Sequence, residues 1–163
     1  MRRADREIKS FSILLDIFQS LPTGHLAMID EGNPYGVTMN YLAEPGQDGS
    51  VVLFFHGANA GRKAEILARN PHVYFFADRD DGAKEIVRPN GVRSVTNLYV
   101  SVAGEGMMET VTDPNEKLRI LIAMANRFAT TPFESIPDAV VDMTAVWKLV
   151  LLHPTGKSNP PLK

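Results

Sequence analysis

The sequence contains no cysteine. That absence removes disulfides, thiol nucleophiles, paired-cysteine redox motifs and cysteine-ligated metals together, and it fits a reducing compartment. Positive charge is not in excess either. Lys and Arg number 17 against 19 Asp and Glu, for a formal net charge of −2, so nothing draws the chain to nucleic acid or to an anionic lipid surface. Long apolar runs are missing. The densest, residues 51–55, falls far short of a membrane span. Met1-Arg2-Arg3 starts like a signal peptide, but Asp5, Glu7 and Asp16 interrupt it and no small-residue cleavage site follows. The expectation is a soluble, cytoplasmic protein without nucleic-acid or membrane partners.

What is present suits one globular domain spanning 1–163. The 163 residues are 44% hydrophobic and 22% charged, ordinary values for a soluble fold. Apolar residues at Ile8, Phe11, Leu14 or Leu15, and Phe18 recur at helical spacing, giving an N-terminal helix within residues 1–20. Strand patterns follow at 25–30, 35–42 and 51–55, the last apolar on both faces and so placed inside a barrel or sandwich. A short helix is expected over 59–70 with Asn59 as its cap, then a strand over 72–77. Residues 78–91, polar with Gly82, Pro89 and Gly91, read as a mobile loop. A long strand over 98–111 carries Gly104 and Gly106, expected to mark a bulge or bend. Asp113-Pro114 opens a helix whose face is Leu118, Leu121, Ile122, Ala125 and Phe128. A final strand, 146–152, holds Trp147, and a loosely held tail, 154–163, ends the chain. The total is about six strands and three helices, mainly β, an antiparallel barrel with helices outside.

The charge distribution says more than its sum. No Lys or Arg occurs from Ser10 to Gly61, and then Arg62 and Lys63 arrive together at a helix start. The positive end of a helix dipole disfavours cations. Two cations there make sense if an anion binds: a phosphate would take bonds from the free backbone N–H groups and both side chains. Gly57 and Gly61 would let the backbone come close, and His56 lies just upstream. The plain alternative is that Arg62 and Lys63 point into water. The segment is not a P-loop, since three residues separate Gly57 and Gly61 and Ala64 follows Lys63. Gly104-Glu105-Gly106 lacks the third glycine of a dinucleotide fingerprint, and His25, His56, His72 and His153 lack metal-ligand spacing, so no metal site is expected.

Several blocks resemble the nitroimidazole-resistance family, within the pyridoxamine-phosphate-oxidase-like FMN-binding split barrels. They are Gly32-Asn33-Pro34-Tyr35 followed by Asn40, Phe55-His56-Gly57-Ala58 with Gly61-Arg62-Lys63, Asn70-Pro71, Tyr99-x-Ser101-Val102-x-Gly104-x-Gly106, and Thr155-Gly156-Lys157. The opening Met1-Arg2-Arg3 is similar too. The chain departs from the family at Thr38, where proline is common, at Gly24-His25 and at Tyr74. The resemblance implies an antiparallel Greek-key split barrel that forms a homodimer with FMN at the interface. It implies a flavin ring along Thr38, Met39 and Asn40, with Phe55, His56, Gly57 and Ala58 lining the next strand. Arg62 and Lys63, beside Gly61, would hold the phosphate, and Tyr99 and Ser101 would come from either subunit. His56 would be the catalytic residue, giving a proton or hydrogen bond to a nitro group as reduced FMN takes a nitroaromatic to its amine. The alternatives are a non-enzymatic flavin or haem binder, with His56 or His72 on the iron, and a pyridoxamine-phosphate oxidase proper.

Overall fold

A computed structural model describes residues 3–162; Met1, Arg2 and Lys163 lie outside the described residues. Eight strands and four α-helices occur among the described residues. The first helix, α1 (Phe11–Ser20), is shorter than the sequence pattern suggests. Ser10 caps it, its hydroxyl accepting from Ile13 N–H. Upstream, Ala4–Arg6 form a 3-10 turn, Glu7 bridges Lys157, and Ile8 is buried and donates its N–H to Gly156 C=O.

The strands are β1 (Thr23–Asp30), β2 (Asn33–Asn40), β3 (Leu42–Pro45) and β4 (Val51–Ala58) before helix α2 (Arg62–Arg69). Then come β5 (His72–Val87), β6 (Arg93–Thr110), α3 (Pro114–Asn126), α4 (Asp138–Met143), β7 (Thr144–Leu151) and β8 (Thr155–Asn159). They form one antiparallel sheet in the order β2-β1-β5-β6-β7-β4-β3, with β8 also on β6. The architecture is the mainly β split barrel with flanking helices that the sequence indicates, with two more strands and one more α-helix, the short α4, than the pattern count. The two end strands of the sheet, β2 and β3, are joined through the single residue Tyr41. The sheet must therefore roll until its ends meet.

Two expected irregular segments are ordered. Residues 78–87 extend β5, which pairs with β6 as far as Val87 opposite Arg93, and 88–91 form the tight turn in which Arg88 N–H bonds Val92 C=O. Polar composition misled there because the solvated arm of a hairpin needs no apolar face. The tail contributes β8, with Gly156 and Ser158 buried against β6. The bulge lies in β5 between Asp80 and Ala83, not at Gly104 and Gly106, which stay in register with Phe75 and Val73. Gly106 is needed for closeness: a Cβ there would stand 2.6 Å from the Val150 carbonyl oxygen.

β4 is apolar on both faces, as expected, because it separates two cores. Val51, Leu53 and Phe55 enter the larger, while Phe54 joins Ile120, Leu121, Met124, Val141 and Val146 beneath α3. The α3 start is as read: Asp113 caps it through Glu116 N–H at 2.7 Å, with Pro114 first in the helix. Its buried side, however, is Ile120, Leu121 and Met124, and Phe128 stays exposed. Arg127, just past the helix, donates to the carbonyls of Tyr41, Gln19 and Leu21. It ties α3 to the seam of the barrel and to the end of α1.

Tyr41 is fully buried, its ring edge-on to Phe75 at 4.9 Å and 6.3 Å from Phe55. Its hydroxyl has no hydrogen-bond partner among the described residues, and burial pushes the phenol far above its ordinary pKa. A buried hydroxyl without a partner costs about 1–3 kcal/mol of desolvation. Tyr41→Phe is therefore expected to raise stability by about 1 kcal/mol in urea denaturation. A clear loss of stability would mean that the hydroxyl has a partner.

Candidate functional site

The end of β2, the end of β4 and the start of α2 converge on one open cleft of about 440 Å³, lined by Thr38, Met39, Asn40, His56 and Lys63. β2 is a terminal strand of the sheet, so one of its backbone edges is unpaired. β4 arrives paired with β7, His56 opposite Val146 and Gly57 opposite Ala145. After β4 the chain turns at Gly61, whose φ of +100° favours glycine, and α2 begins at Arg62. Gly61, not Asn59, is the cap residue; the Asn59 side chain donates to Asp142 C=O instead.

The two cations have different surroundings. Arg62 already faces an anion: its Nε donates to Asp30 Oδ2 at 2.9 Å, and its guanidinium lies 4.3 Å from the Tyr35 ring centre. Arg69, at the end of α2, takes the other Asp30 oxygen at 2.6 Å. Asp30 therefore relieves part of the repulsion that the sequence pattern exposes at this helix start, and these arginines hold its carboxyl below the usual range. Lys63 has no such partner. Its Nζ sits 3.6 Å from Met39 Sδ and 4.8 Å from the Trp147 ring centre, and no carboxylate among the described residues is within salt-bridge distance of it. Gly57 makes its place: a Cβ there would meet Lys63 Nζ at 2.7 Å. Burial lowers the Lys63 pKa. A half-buried ammonium with no counter-ion at an open cleft is what an anionic ligand would complete.

His56 shares the cleft. Desolvation by the surrounding protein, and secondarily the Lys63 charge, lower its pKa. The imidazole is thus neutral at pH 7, with one N–H to donate. Because the folded value lies below the unfolded one, stability linked to His56 is lost as pH falls below about 6.5.

The remaining expected residues divide. Phe55 is fully buried, its side chain in the core, so only its backbone follows the strand past the cleft. Ala58 pairs with Thr144. Tyr99 and Ser101 lie on β6, opposite Asp80 and Asp78 of β5, with β1 and β5 between them and β2. Within one chain they do not reach the cleft. Ser101 Oγ bonds Lys157 C=O at 3.5 Å, and the Lys157 ammonium lies 5.8 Å from the Tyr99 ring centre. Burial opposes ionisation of Tyr99, but Arg6 and Lys157 outweigh it and lower the phenol's pKa. Sequence reasoning missed Asp30, which lies 32 residues before Arg62 with no periodic relation to it. It also missed His25, which stands 3.2 Å from Thr38 Oγ1 and 3.8 Å from Asp78. No group of three or more His, Cys, Asp or Glu suited to a metal occurs among the described residues, and no helix among them is long and apolar enough to cross a membrane.

The sequence pattern of the family described as pyridoxamine 5'-phosphate oxidase matches residues 12–158. The chain belongs to the pyridoxamine 5'-phosphate oxidase family. Among solved members of this fold, a candidate 5-nitroimidazole antibiotic resistance protein of Bacteroides thetaiotaomicron is 26% identical, with a TM-score of 0.75 over 93% of this chain and 85% of that one. An FAD and haem binding protein of Mycobacterium smegmatis is 18% identical, TM-score 0.77, over 94% of this chain and 73% of that one. The flavocytochrome Anf3 of Azotobacter vinelandii is 19% identical, TM-score 0.77, over 100% of this chain and 74% of that one. At those identities the last two speak to the oxidase-family fold alone. No curated protein matches the sequence.

The cleft electrostatics can be checked by NMR. The His56 ring protons are expected to titrate with a midpoint below 6.5. Lys63→Met should move that midpoint part of the way back up, leaving the desolvation effect. An unmoved midpoint would show that the Lys63 charge does not reach the imidazole.

Proposed function

We propose that the protein is a flavin-dependent reductase of nitroaromatic compounds, holding FMN in the cleft at α2 and working as a homodimer in the cytoplasm. One observation carries the reading: Lys63 is half-buried, has no carboxylate partner among the described residues, and stands beside a neutral histidine and an unpaired strand edge in the same cleft. The residues suit FMN chemically. Lys63, the first N–H groups of α2 and the terminal nitrogens of Arg62, whose Nε alone is bonded to Asp30, would hold the phosphate. The open backbone edge at Thr38, Met39 and Asn40 would meet the polar rim of the ring. When bound, the flavin supplies the reducing electrons.

The chain's own part is to bind, orient and donate. His56, kept neutral, donates its N–H to a nitro oxygen and stabilises negative charge there. Tyr99 and Ser101, remote from the cleft within one chain, would act from the second copy. The likeness to a candidate nitroimidazole-resistance protein supports the substrate class. Oxidation of pyridoxamine 5'-phosphate, the reaction that names the family, is the competing activity.

The protein purified from cells is expected to be yellow, with flavin absorbance. Lys63→Ala should weaken FMN binding at least tenfold, the loss of one charge-assisted hydrogen bond worth about 1.5–3 kcal/mol. Arg62→Ala should weaken it less, because Asp30 already engages that side chain. His56→Ala should retain FMN and lose about 100-fold in nitroaromatic turnover. A colourless protein indifferent to FMN, or a red one with a haem spectrum, would overturn the reading.

A further inference from the structure

Asn40 and His56 line a second cavity besides the cleft, an apolar chamber of about 350 Å³ beneath α3. We propose that this chamber receives the substrate's ring and selects compact, uncharged aromatic molecules. The proposal rests on the cleft being the flavin site, since the shared residues then put the ring beside the reacting group.

The chamber exists because of a mismatch between α3 and what covers it. Ile120, Leu121 and Met124 pack onto Phe54 and Val146 of the sheet. Beside the buried Leu121, Ala125 and Phe128 are equally apolar yet only partly covered. Ala125 is small and leaves the space open. Ile136 and Val140 complete the walls from the far side. The intervening loop is fixed in place: Asn126 Nδ2 donates to Phe133 C=O at 3.0 Å, and Phe133 N–H returns to Asn126 Oδ1 at 2.6 Å. Phe128 and Val140 are about half exposed, 53% and 50%, at the edge of the chamber. Large apolar side chains left in water around a concavity mark a binding site more than a packing need.

Its chemistry is restrictive. No Asp, Glu, Lys or Arg lines it. Thr144 does, but its hydroxyl proton is spent on Val140 C=O at 2.7 Å, so it is left only as an acceptor. The donors that remain are the Asn40 amide and the His56 imidazole, which also line the cleft, and the imidazole resists protonation. A carboxylate or phosphate entering here would shed water and meet no cation. Lys63, the cation nearest in the site, lines the cleft and not the chamber. A volume of about 350 Å³ is at the small end for ligand pockets, enough for a substituted single ring.

The test compares two probes of the same ring, 4-nitrotoluene and 4-nitrobenzoate, by isothermal titration and saturation-transfer NMR on the whole protein. 4-Nitrotoluene is expected to bind, and 4-nitrobenzoate at least tenfold more weakly. Ala125→Trp should fill the chamber and abolish 4-nitrotoluene binding while flavin absorbance stays. Phe128→Ala, at an exposed position that puts folding at little risk, should weaken it several-fold and decides the matter if Ala125→Trp does not fold. Equal binding of the two probes, or undiminished 4-nitrotoluene binding in the folded variants, overturns the proposal. If only the flavin reading fails, the protein will be colourless and ignore FMN, yet 4-nitrotoluene will still bind and Ala125→Trp will still block it.

Discussion

The rest of the molecule depends on the closure of the sheet at Tyr41. β2 and β3 stand at opposite ends of the strand order, yet one residue separates them in the chain. A flat sheet cannot satisfy both facts. It has to roll, and the residue at the seam has to go inside, where Tyr41 meets Phe55 and Phe75 from two different parts of the barrel. Arg127 fastens the same seam from outside by bonding the Tyr41 carbonyl. This closure brings Asn40, the last residue of β2, to the cleft that His56 of β4 also lines. The unpaired edge of β2 faces the candidate site for the same reason.

Electrostatics at the start of α2 then divides the labour between two adjacent cations. Asp30 comes from the β1 end of the hairpin and engages both Arg62 and Arg69. It bridges the two ends of α2 and holds that helix against β1. Lys63, one residue on, turns the other way across the space left by Gly57 and lies over Trp147. The same dipeptide thus supplies one mostly structural charge and one charge without a counter-ion. His56 is affected by the second, so the positive potential at the cleft favours a bound anion, while desolvation is the larger cause that keeps the imidazole neutral.

How much of this was legible in the sequence depends on the range of the forces involved. The Asp113 cap with Pro114, the doubly apolar β4 and the Trp147 strand follow from local rules, and those readings hold. Residues 78–91 and the tail were misread because their order comes from cross-strand pairing with β6, which leaves little trace in composition. Gly104 and Gly106 were assigned the wrong cause: they admit a neighbouring strand, and the bulge is elsewhere. At the site, Thr38, Met39, Asn40, His56 and Lys63 do come together. Phe55 turns inward, and Tyr99 and Ser101 stay on another part of the sheet.

By itself the sequence determined that the chain is mainly β, that it carries no thiol, and that two adjacent cations break the usual charge preference at the start of a helix. Composition, alternation and helix-end electrostatics act over a few residues, so they can be read along the chain. Only the tertiary structure decided that Asp30 already answers Arg62, that Lys63 has no carboxylate partner among the described residues, and that α3 and the residues after it wall an apolar cavity beside His56. Those outcomes depend on which side chains folding sets within a few ångströms of each other across long stretches of sequence, and no local pattern encodes that distance.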